Sequence, residues 1–336
     1  MKRLFTIIAV ILVTMVVAWT GYWFFAAGKL ESAYANWFDA RRADGWQAEY
    51  SDLSVGGFPY RFDTTFTDLD IADPETGWAW TAPMFQIVAL AYRPNEVIAI
   101  FPGDSTLSTP EAQYTITNDD LRASMRVGAS SRLPLREARL VGSNIAVTEE
   151  DTLGIDTLRV AVELLPGATS DYRIGFYADG ITLPDPFLNR VAGEVALPPE
   201  VTKINVDADV KFDAPWDLDA LEDARPQPTH VRLRIAEAEW GPLKISATGE
   251  LSIDEAGLPT GEIAIKAENW EAMLEVAVAA GAMSEGTATA ITRGLTLVAN
   301  LSGGRSDSLN ATISFRNGRA FLGPVPLGPA PVLLLR

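Results

Sequence analysis

The chain has 336 residues, a formal net charge of −17, a single histidine and no cysteine. So acidic a chain repels nucleic acid phosphates, which excludes DNA and RNA as partners. The absence of cysteine excludes disulfides, thiolate metal sites and cysteine nucleophiles. The composition, 48% hydrophobic and 21% charged, is that of a folded protein and not of a disordered one.

The N-terminal segment predicts a membrane anchor. Residues 4–27 contain no charged side chain, and Lys2 and Arg3 precede them. As a helix the segment spans roughly 36 Å, enough to cross a hydrocarbon core of about 30 Å. The two basic residues favour an N-terminus inside the cell. We expect residues 1–28 to form a signal anchor that crosses the inner membrane once and places the rest in the periplasm. A cleaved signal peptide is the alternative, although its apolar region is normally only about 7–15 residues long.

The remainder predicts a short helix followed by a mainly β domain. In residues 29–45, apolar side chains recur at helical spacing and Gly45 ends the pattern, which indicates a helical stalk that packs onto the domain. In residues 46–336, about ten runs alternate apolar and polar side chains between turn residues. This pattern is typical of antiparallel strands. The expected fold class is mainly β, with long curved antiparallel sheets forming a groove or a sandwich.

Two features interrupt the strand pattern. Residues 269–293 carry apolar side chains at helical spacing, so we predict a short helical insertion with Asn269 as its N-cap, and strands resume at 295–299. Proline-bearing stretches at 214–228 mark an expected seam between two sub-domains.

The string Gly-Gly-Phe-Pro-Tyr-Arg-Phe at residues 56–62 is the most distinctive local motif. It reads either as a glycine turn with a proline before an aromatic strand, or as the mouth of an apolar groove. On the second interpretation the ligand-contacting residues are Phe58, Pro59, Tyr60 and Phe62.

Closely spaced acids raise the question of a metal site. Asp207 and Asp209 share one face of a predicted strand, but the EF-hand order is absent, and a solvated strand face accounts for them. His230 is the only candidate for a histidine base, and no nucleophile-elbow, P-loop or dinucleotide-binding string is present. We therefore expect no metal, no cofactor and no catalytic residue, and we do not expect an enzyme.

The strands outnumber the helices that could cover them. An apolar sheet face is buried against a second sheet, against a helix or against lipid. The sequence leaves open whether a second sheet closes the core or an open apolar groove holds acyl chains.

Three features together resemble the bacterial family grouped as domain of unknown function 2125: the anchor, the 56–62 string and the segment NGRAFLGPVPLG at residues 317–328. More distantly, the anchor followed by long amphipathic sheets is similar to AsmA-like envelope proteins and to those grouped as domain of unknown function 945. The distant resemblance implies an apolar β-groove that faces the periplasm. It implies no catalytic residue.

Together these expectations describe a membrane-anchored periplasmic protein of the cell envelope that binds lipid or another apolar ligand in a β-groove. The alternative is a non-enzymatic structural or assembly factor. It would bind an envelope protein through a sheet edge or through the 269–293 helices.

Overall fold

The computed structural model describes residues 2–191, 197–222, 225–289, 291–292, 308–323 and 325–335. The fold is mainly β, with antiparallel strands and one long N-terminal apolar helix, which confirms the expected fold class. The chain divides into two compact units, Met1–Met125 and Arg126–Arg336. The division therefore lies at residue 125, and the stretch near 214–228 lies inside the second unit.

The first unit contains one helix and a set of strands that follow it. Their bounds are α1 (Lys2–Ala43), β1 (Gln47–Glu49), β2 (Asp52–Gly56), β3 (Arg61–Asp73), β4 (Trp78–Leu90), β5 (Arg93–Ile100), β6 (Asp104–Ser108), β7 (Gln113–Thr117) and β8 (Asp120–Val127).

Helix α1 is continuous through both the expected anchor and the expected stalk, so residues 1–28 and 29–45 are not separate elements. It ends at Ala43, and Gly45, two residues later, has a φ of 89°, the left-handed conformation that follows the end of many helices. It is long and apolar enough to cross a membrane, and none of its most apolar window is buried. This is consistent with a membrane anchor, and a signal sequence has the same properties.

Strands β3 and β4 form the centre of the first unit. They pair antiparallel along their full length, with Phe66 opposite Phe85. Strands β1 and β2 pair with successive parts of β3, and β5 and β6 pair with successive parts of β4. The C-terminal part of α1 packs on this sheet, and Phe38 of the helix joins Phe66 and Leu69 of β3 in one buried cluster.

Among its described residues the second unit contains ten strands, three short helices and a further helical stretch at 285–289. Their bounds are β9 (Leu135–Thr148), β10 (Thr152–Leu164), β11 (Asp171–Thr182), α2 (Asp185–Val191), β12 (Glu200–Phe212), α3 (Leu218–Glu222), β13 (Pro228–Trp240), β14 (Leu243–Ile253), β15 (Pro259–Glu268), α4 (Trp270–Ala279), β16 (Ser308–Arg316), β17 (Arg319–Leu322) and β18 (Val325–Pro329).

From β9 to β18 each strand pairs antiparallel with the next, so the second unit is a long meander. The register aligns apolar side chains across it: Val162 lies opposite Ile174, Ile174 opposite Ala208, and Ala208 opposite Leu233. Because strand side chains alternate between faces, this alignment gives the sheet one continuous apolar face.

The expected helical insertion is present as α4, followed by a second helical stretch at 285–289, with Gly281 (φ 75°) between them. Asn269 occupies the N-cap position, but its side chain does not cap the helix. Its amide instead donates a 2.6 Å hydrogen bond to the carbonyl oxygen of Pro242, and its own backbone is left-handed. The strand expected at 295–299 lies outside the described residues.

Candidate functional site

The first unit contains an apolar pocket of about 540 Å³ between α1 and the β3–β4 hairpin. A volume of this order is typical of small-molecule and cofactor pockets, which range from about 300 to 1,000 Å³. The lining residues are Leu30, Ala33, Tyr34, Trp37, Phe38, Phe66, Leu69, Ile71, Trp80, Phe85 and Ile87.

The spacing of the apolar residues in α1 forms the helical wall of the pocket. Leu30, Ala33, Tyr34 and Trp37 recur three and four residues apart, so they form one stripe along the helix. Phe38 lies beside this stripe and is buried against the sheet. The stripe was visible in the sequence as a stalk that packs onto the domain. The strands that it meets were not.

The sheet wall of the pocket depends on a local irregularity in the hairpin. Asp68 has a φ of 47°, and it lies between two pairs of the ladder, Thr67 with Met84 and Leu69 with Ala82. Strict alternation would place Phe66 and Leu69 on opposite faces of the sheet. The left-handed residue between them reverses the alternation, so both face α1 and both are buried.

The chemistry of the lining is that of a hydrocarbon site. The Tyr34 ring makes an edge-to-face contact with Phe66 at 5.3 Å, and Trp80 makes another with Phe85 at 5.4 Å. Burial raises the pKa of the Tyr34 phenol. Trp37 is 44% exposed, so the pocket is open along the helix. Such a lining can hold an apolar chain by contact, and the Tyr34 phenol is its one titratable group.

A second apolar pocket, of about 640 Å³, lies in the second unit. Its sheet wall includes Val162, Ile174 and Val231, and its other wall is the C-terminal segment 332–335. The Gln227 side chain holds this segment in place. Its amide nitrogen donates a 2.9 Å hydrogen bond to the Leu335 carbonyl, and its oxygen accepts one of 2.8 Å from the Leu335 backbone nitrogen.

The residues of the 56–62 string lie beside α1 and are not among those that line either pocket. The Phe58 ring stacks on Phe24 at 5.6 Å and meets Trp23 edge to face at 5.4 Å. Pro59 lies in the turn, Tyr60 is exposed, and Phe62 is buried in β3. A role as the mouth of a groove stays a prediction, and the contacts give these residues another neighbour, the N-terminal helix.

The acidic strand face is paired with arginines. Arg173 lies 2.9 Å from Asp209, and Arg234 lies 3.1 Å from Asp207. Within the described ranges, no group of three or more histidine and acidic side chains could hold a metal ion. His230 lies on β13, opposite Lys211 and Ser252 of the neighbouring strands.

The model of a family described as an uncharacterized protein conserved in bacteria (DUF2125) matches residues 23–331. The chain belongs to this family. The match begins within α1, includes every lining residue of the first pocket and extends over most of both units. No curated protein and no solved structure matches the chain. The more distant resemblance to AsmA-like proteins stays a prediction.

Proposed function

We propose that this protein is anchored in the inner membrane of a bacterium, extends into the periplasm, and handles lipid by holding an acyl chain in the pocket between α1 and the β3–β4 hairpin. The observation that carries the proposal is the position of the pocket. One helix supplies both an apolar stretch long enough to cross the membrane and one wall of an apolar cavity. We propose binding alone at this pocket, whose lining is aliphatic and aromatic.

The distance along the helix supports this assignment. Leu30 and Trp37 are three and ten residues beyond residue 27, where the uncharged stretch ends. At 1.5 Å per residue the pocket wall lies roughly 5–15 Å outside the apolar stretch. A lipid whose headgroup is at the membrane surface could therefore insert a chain into the pocket without leaving the membrane entirely.

The energetics favour transient handling over storage. Burying a methylene from water is worth about 0.8 kcal/mol, but a chain that moves from bilayer to pocket exchanges one apolar environment for another. The net gain per methylene is therefore small. A pocket of this kind therefore binds an acyl chain reversibly. The shape of its lining determines which chains fit.

The second unit supports the same chemistry independently. Its meander presents a continuous apolar face in register, and part of that face lines a pocket of about 640 Å³. On that face Phe176 is 36% exposed. A chain with an apolar pocket in each unit and a membrane anchor is better suited to apolar ligands than to polar ones.

A pair of matched variants tests the proposal. Ala33 lines the pocket, whereas Ala40, two helical turns further along, does not, so Ala33→Trp fills the pocket and Ala40→Trp adds the same ring beyond its end. The full chain is extracted from membranes in mild detergent, and bound phospholipid is counted by mass spectrometry. Lipids that surround the transmembrane helix are common to both variants.

We expect Ala33→Trp to lose about one lipid per chain relative to the wild type, the capacity of a pocket of this size, and Ala40→Trp to retain it. Equal lipid content in all three proteins would contradict the proposal. A protein recovered in stoichiometric amount with the wild type but not with Ala33→Trp would instead assign the pocket to a protein partner.

A further inference from the structure

Exposed aromatic side chains cluster at one end of the first unit, where the turn between β2 and β3 meets the N-terminal helix. We name residues 57–61 the 57–61 loop. Phe58 is 47% exposed and Tyr60 is 68% exposed, and Tyr92, which follows β4 beside the loop, is 59% exposed. Large exposed aromatics that cluster in this way mark an interaction surface more often than singly scattered ones.

Hydrogen bonds fix the position of the 57–61 loop along the axis of α1. Trp19 Nε1 donates to the carbonyl oxygen of Pro59 at 3.0 Å, and Trp23 Nε1 donates to that of Arg61 at 2.8 Å. The Tyr22 hydroxyl donates to the carbonyl oxygen of Ala91 at 3.0 Å. The loop and the residue before Tyr92 are thus attached to α1 at the level of residues 19–23, inside the uncharged stretch 4–27.

Helix geometry gives the depth of residues 19–23 in a bilayer. A hydrocarbon core of about 30 Å takes about 20 helical residues. A helix that enters the core near residue 4 therefore leaves it near residue 23. The attachment points of the loop lie at this outer boundary, where tryptophan and tyrosine are favoured because one end of each ring is apolar and the other is polar.

Most backbone groups of the loop are hydrogen-bonded within the protein, as a water-poor environment favours. Pro59 has no N–H, and Tyr60 and Arg61 both donate their backbone N–H to the carbonyl oxygen of Gly57. The carbonyl oxygens of Pro59 and Arg61 accept from the two indoles, and that of Tyr60 accepts from the Ala91 backbone N–H. A loop in water does not need such pairing, whereas backbone groups in lipid do.

We propose that the 57–61 loop and Tyr92 form a membrane-docking surface that inserts into the interfacial layer of the same bilayer that α1 spans. The partner is the lipid surface itself. Phe58 and the Tyr60 ring lie among headgroups and upper acyl chains, while the exposed Arg61 side chain, paired with Asp63, extends to the headgroup layer. The surface fixes the first unit against the membrane. This inference requires the anchor but not an occupied pocket.

The absence of native cysteine gives a direct test on the full chain. Single variants Tyr60→Cys, Tyr92→Cys and Trp78→Cys are labelled with an environment-sensitive fluorophore and reconstituted into phospholipid vesicles. Trp78 is the matched control, because it is an exposed aromatic at the opposite end of β4. Each label is quenched with aqueous iodide and, separately, with nitroxide-bearing lipids. Circular dichroism identifies any variant that fails to fold, and Tyr60→Cys and Tyr92→Cys report on the same surface independently.

We expect labels at positions 60 and 92 to be several-fold less quenched by iodide than the label at 78, and several-fold more quenched by nitroxide lipids. Equal iodide quenching at 60, 92 and 78 would overturn the proposal. Equal shielding of all three positions would overturn it as well, since protection would then not belong to this surface. Loss of pocket-bound lipid in the Ala33→Trp variant would leave these results unchanged, so the two proposals fail separately.

Discussion

The indole nitrogen of Trp23 donates a 2.8 Å hydrogen bond to the carbonyl oxygen of Arg61, and the same ring stacks on Phe62 at a centroid distance of 5.6 Å. One buried side chain thus joins the end of the apolar stretch of α1 to the start of β3. The helix is attached to the sheet immediately before the pocket begins at Leu30.

Replacing Trp23 by phenylalanine tests this attachment. The variant keeps an aromatic ring near Phe62 but loses the hydrogen bond, so we expect the free energy of unfolding to fall by about 0.5–1.5 kcal/mol. Thermal unfolding of the full chain in detergent, followed by circular dichroism, measures the change. Trp78→Phe is the control, because that ring is half exposed and its replacement should change stability by less than about 0.5 kcal/mol. A loss in the control equal to that in Trp23→Phe would contradict the assignment.

We expect a substitution at Thr64 to stabilise the folded protein. Thr64 is fully buried in β3, and its hydroxyl oxygen has no hydrogen-bond partner among the residues that the structure describes. Thr64→Val removes this polar atom at nearly constant volume, so we expect stability to rise by about 1 kcal/mol. Thr65→Val is the matched control, because the Thr65 hydroxyl accepts a 2.9 Å hydrogen bond from Gln86. Urea unfolding should show Thr64→Val more stable and Thr65→Val less stable than the wild type, and a destabilised Thr64→Val would show that the Thr64 hydroxyl is satisfied.

Tyr172 predicts a loss of stability at alkaline pH. It is fully buried, and burial raises the pKa of its phenol above the ordinary value of about 10, although the Trp216 backbone N–H acts in the other direction. The unfolded chain therefore ionises first as pH rises. The contribution of the neutral phenol is complete below the unfolded-state pKa and is lost as pH rises through the folded-state pKa.

The variant Tyr172→Phe tests that sign. We expect it to be less stable at neutral pH, because it loses the 3.3 Å hydrogen bond to the Leu135 carbonyl, but to lose less stability above about pH 10. Urea unfolding across the alkaline range measures both effects. Parallel pH profiles for the wild type and the variant would refute the prediction.

We expect the Gln227 side chain to protect the backbone amides of the C-terminal segment from hydrogen exchange. This side chain makes two hydrogen bonds to the Leu335 backbone, so Gln227→Leu should loosen residues 331–335 at their Leu335 end, while the Leu333 N–H keeps its 2.8 Å hydrogen bond to the Gly257 carbonyl oxygen. Hydrogen exchange followed by mass spectrometry should show faster exchange in that peptide alone. Gln86→Leu, which removes a glutamine from the first unit, should leave the peptide unchanged. Unchanged exchange in Gln227→Leu would show that other contacts hold the segment.

Much of the second unit could be predicted from the sequence. Strands β10 to β15 are each ten or more residues long and carry runs of alternating apolar and polar side chains, and Gly, Pro or Asp lies between most of them. Alternation of that length indicates a strand with one apolar face, whatever the tertiary context. The short strands β6 and β7 were missed, because five residues rich in serine, threonine and glutamine carry no clear apolar period.

The candidate site could be predicted only in part. The helical stripe from Leu30 to Trp37 is a local signal, but the strands it meets depend on the reversal at Asp68, which no spacing rule reveals. The structure places residues 57–60 of the 56–62 string between β2 and β3, which agrees with the first of the two interpretations that the sequence allowed. Its contact with α1 joins residues that are far apart in the chain, such as Trp19 and Pro59, and single-sequence patterns do not report such pairs.

Photo-crosslinking tests the central claim, that an acyl chain occupies the pocket, most directly. Cells that express the full chain are supplied with a phospholipid precursor that carries a diazirine near the end of its acyl chain, and cross-linked peptides are mapped after irradiation. The account predicts adducts on Trp37 and Phe38 of α1 and on Trp80 and Phe85 of β4, which Ala33→Trp abolishes and Ala40→Trp preserves. Adducts confined to residues 4–18, identical in all three proteins, would contradict it, because they would show that lipid only surrounds the membrane helix.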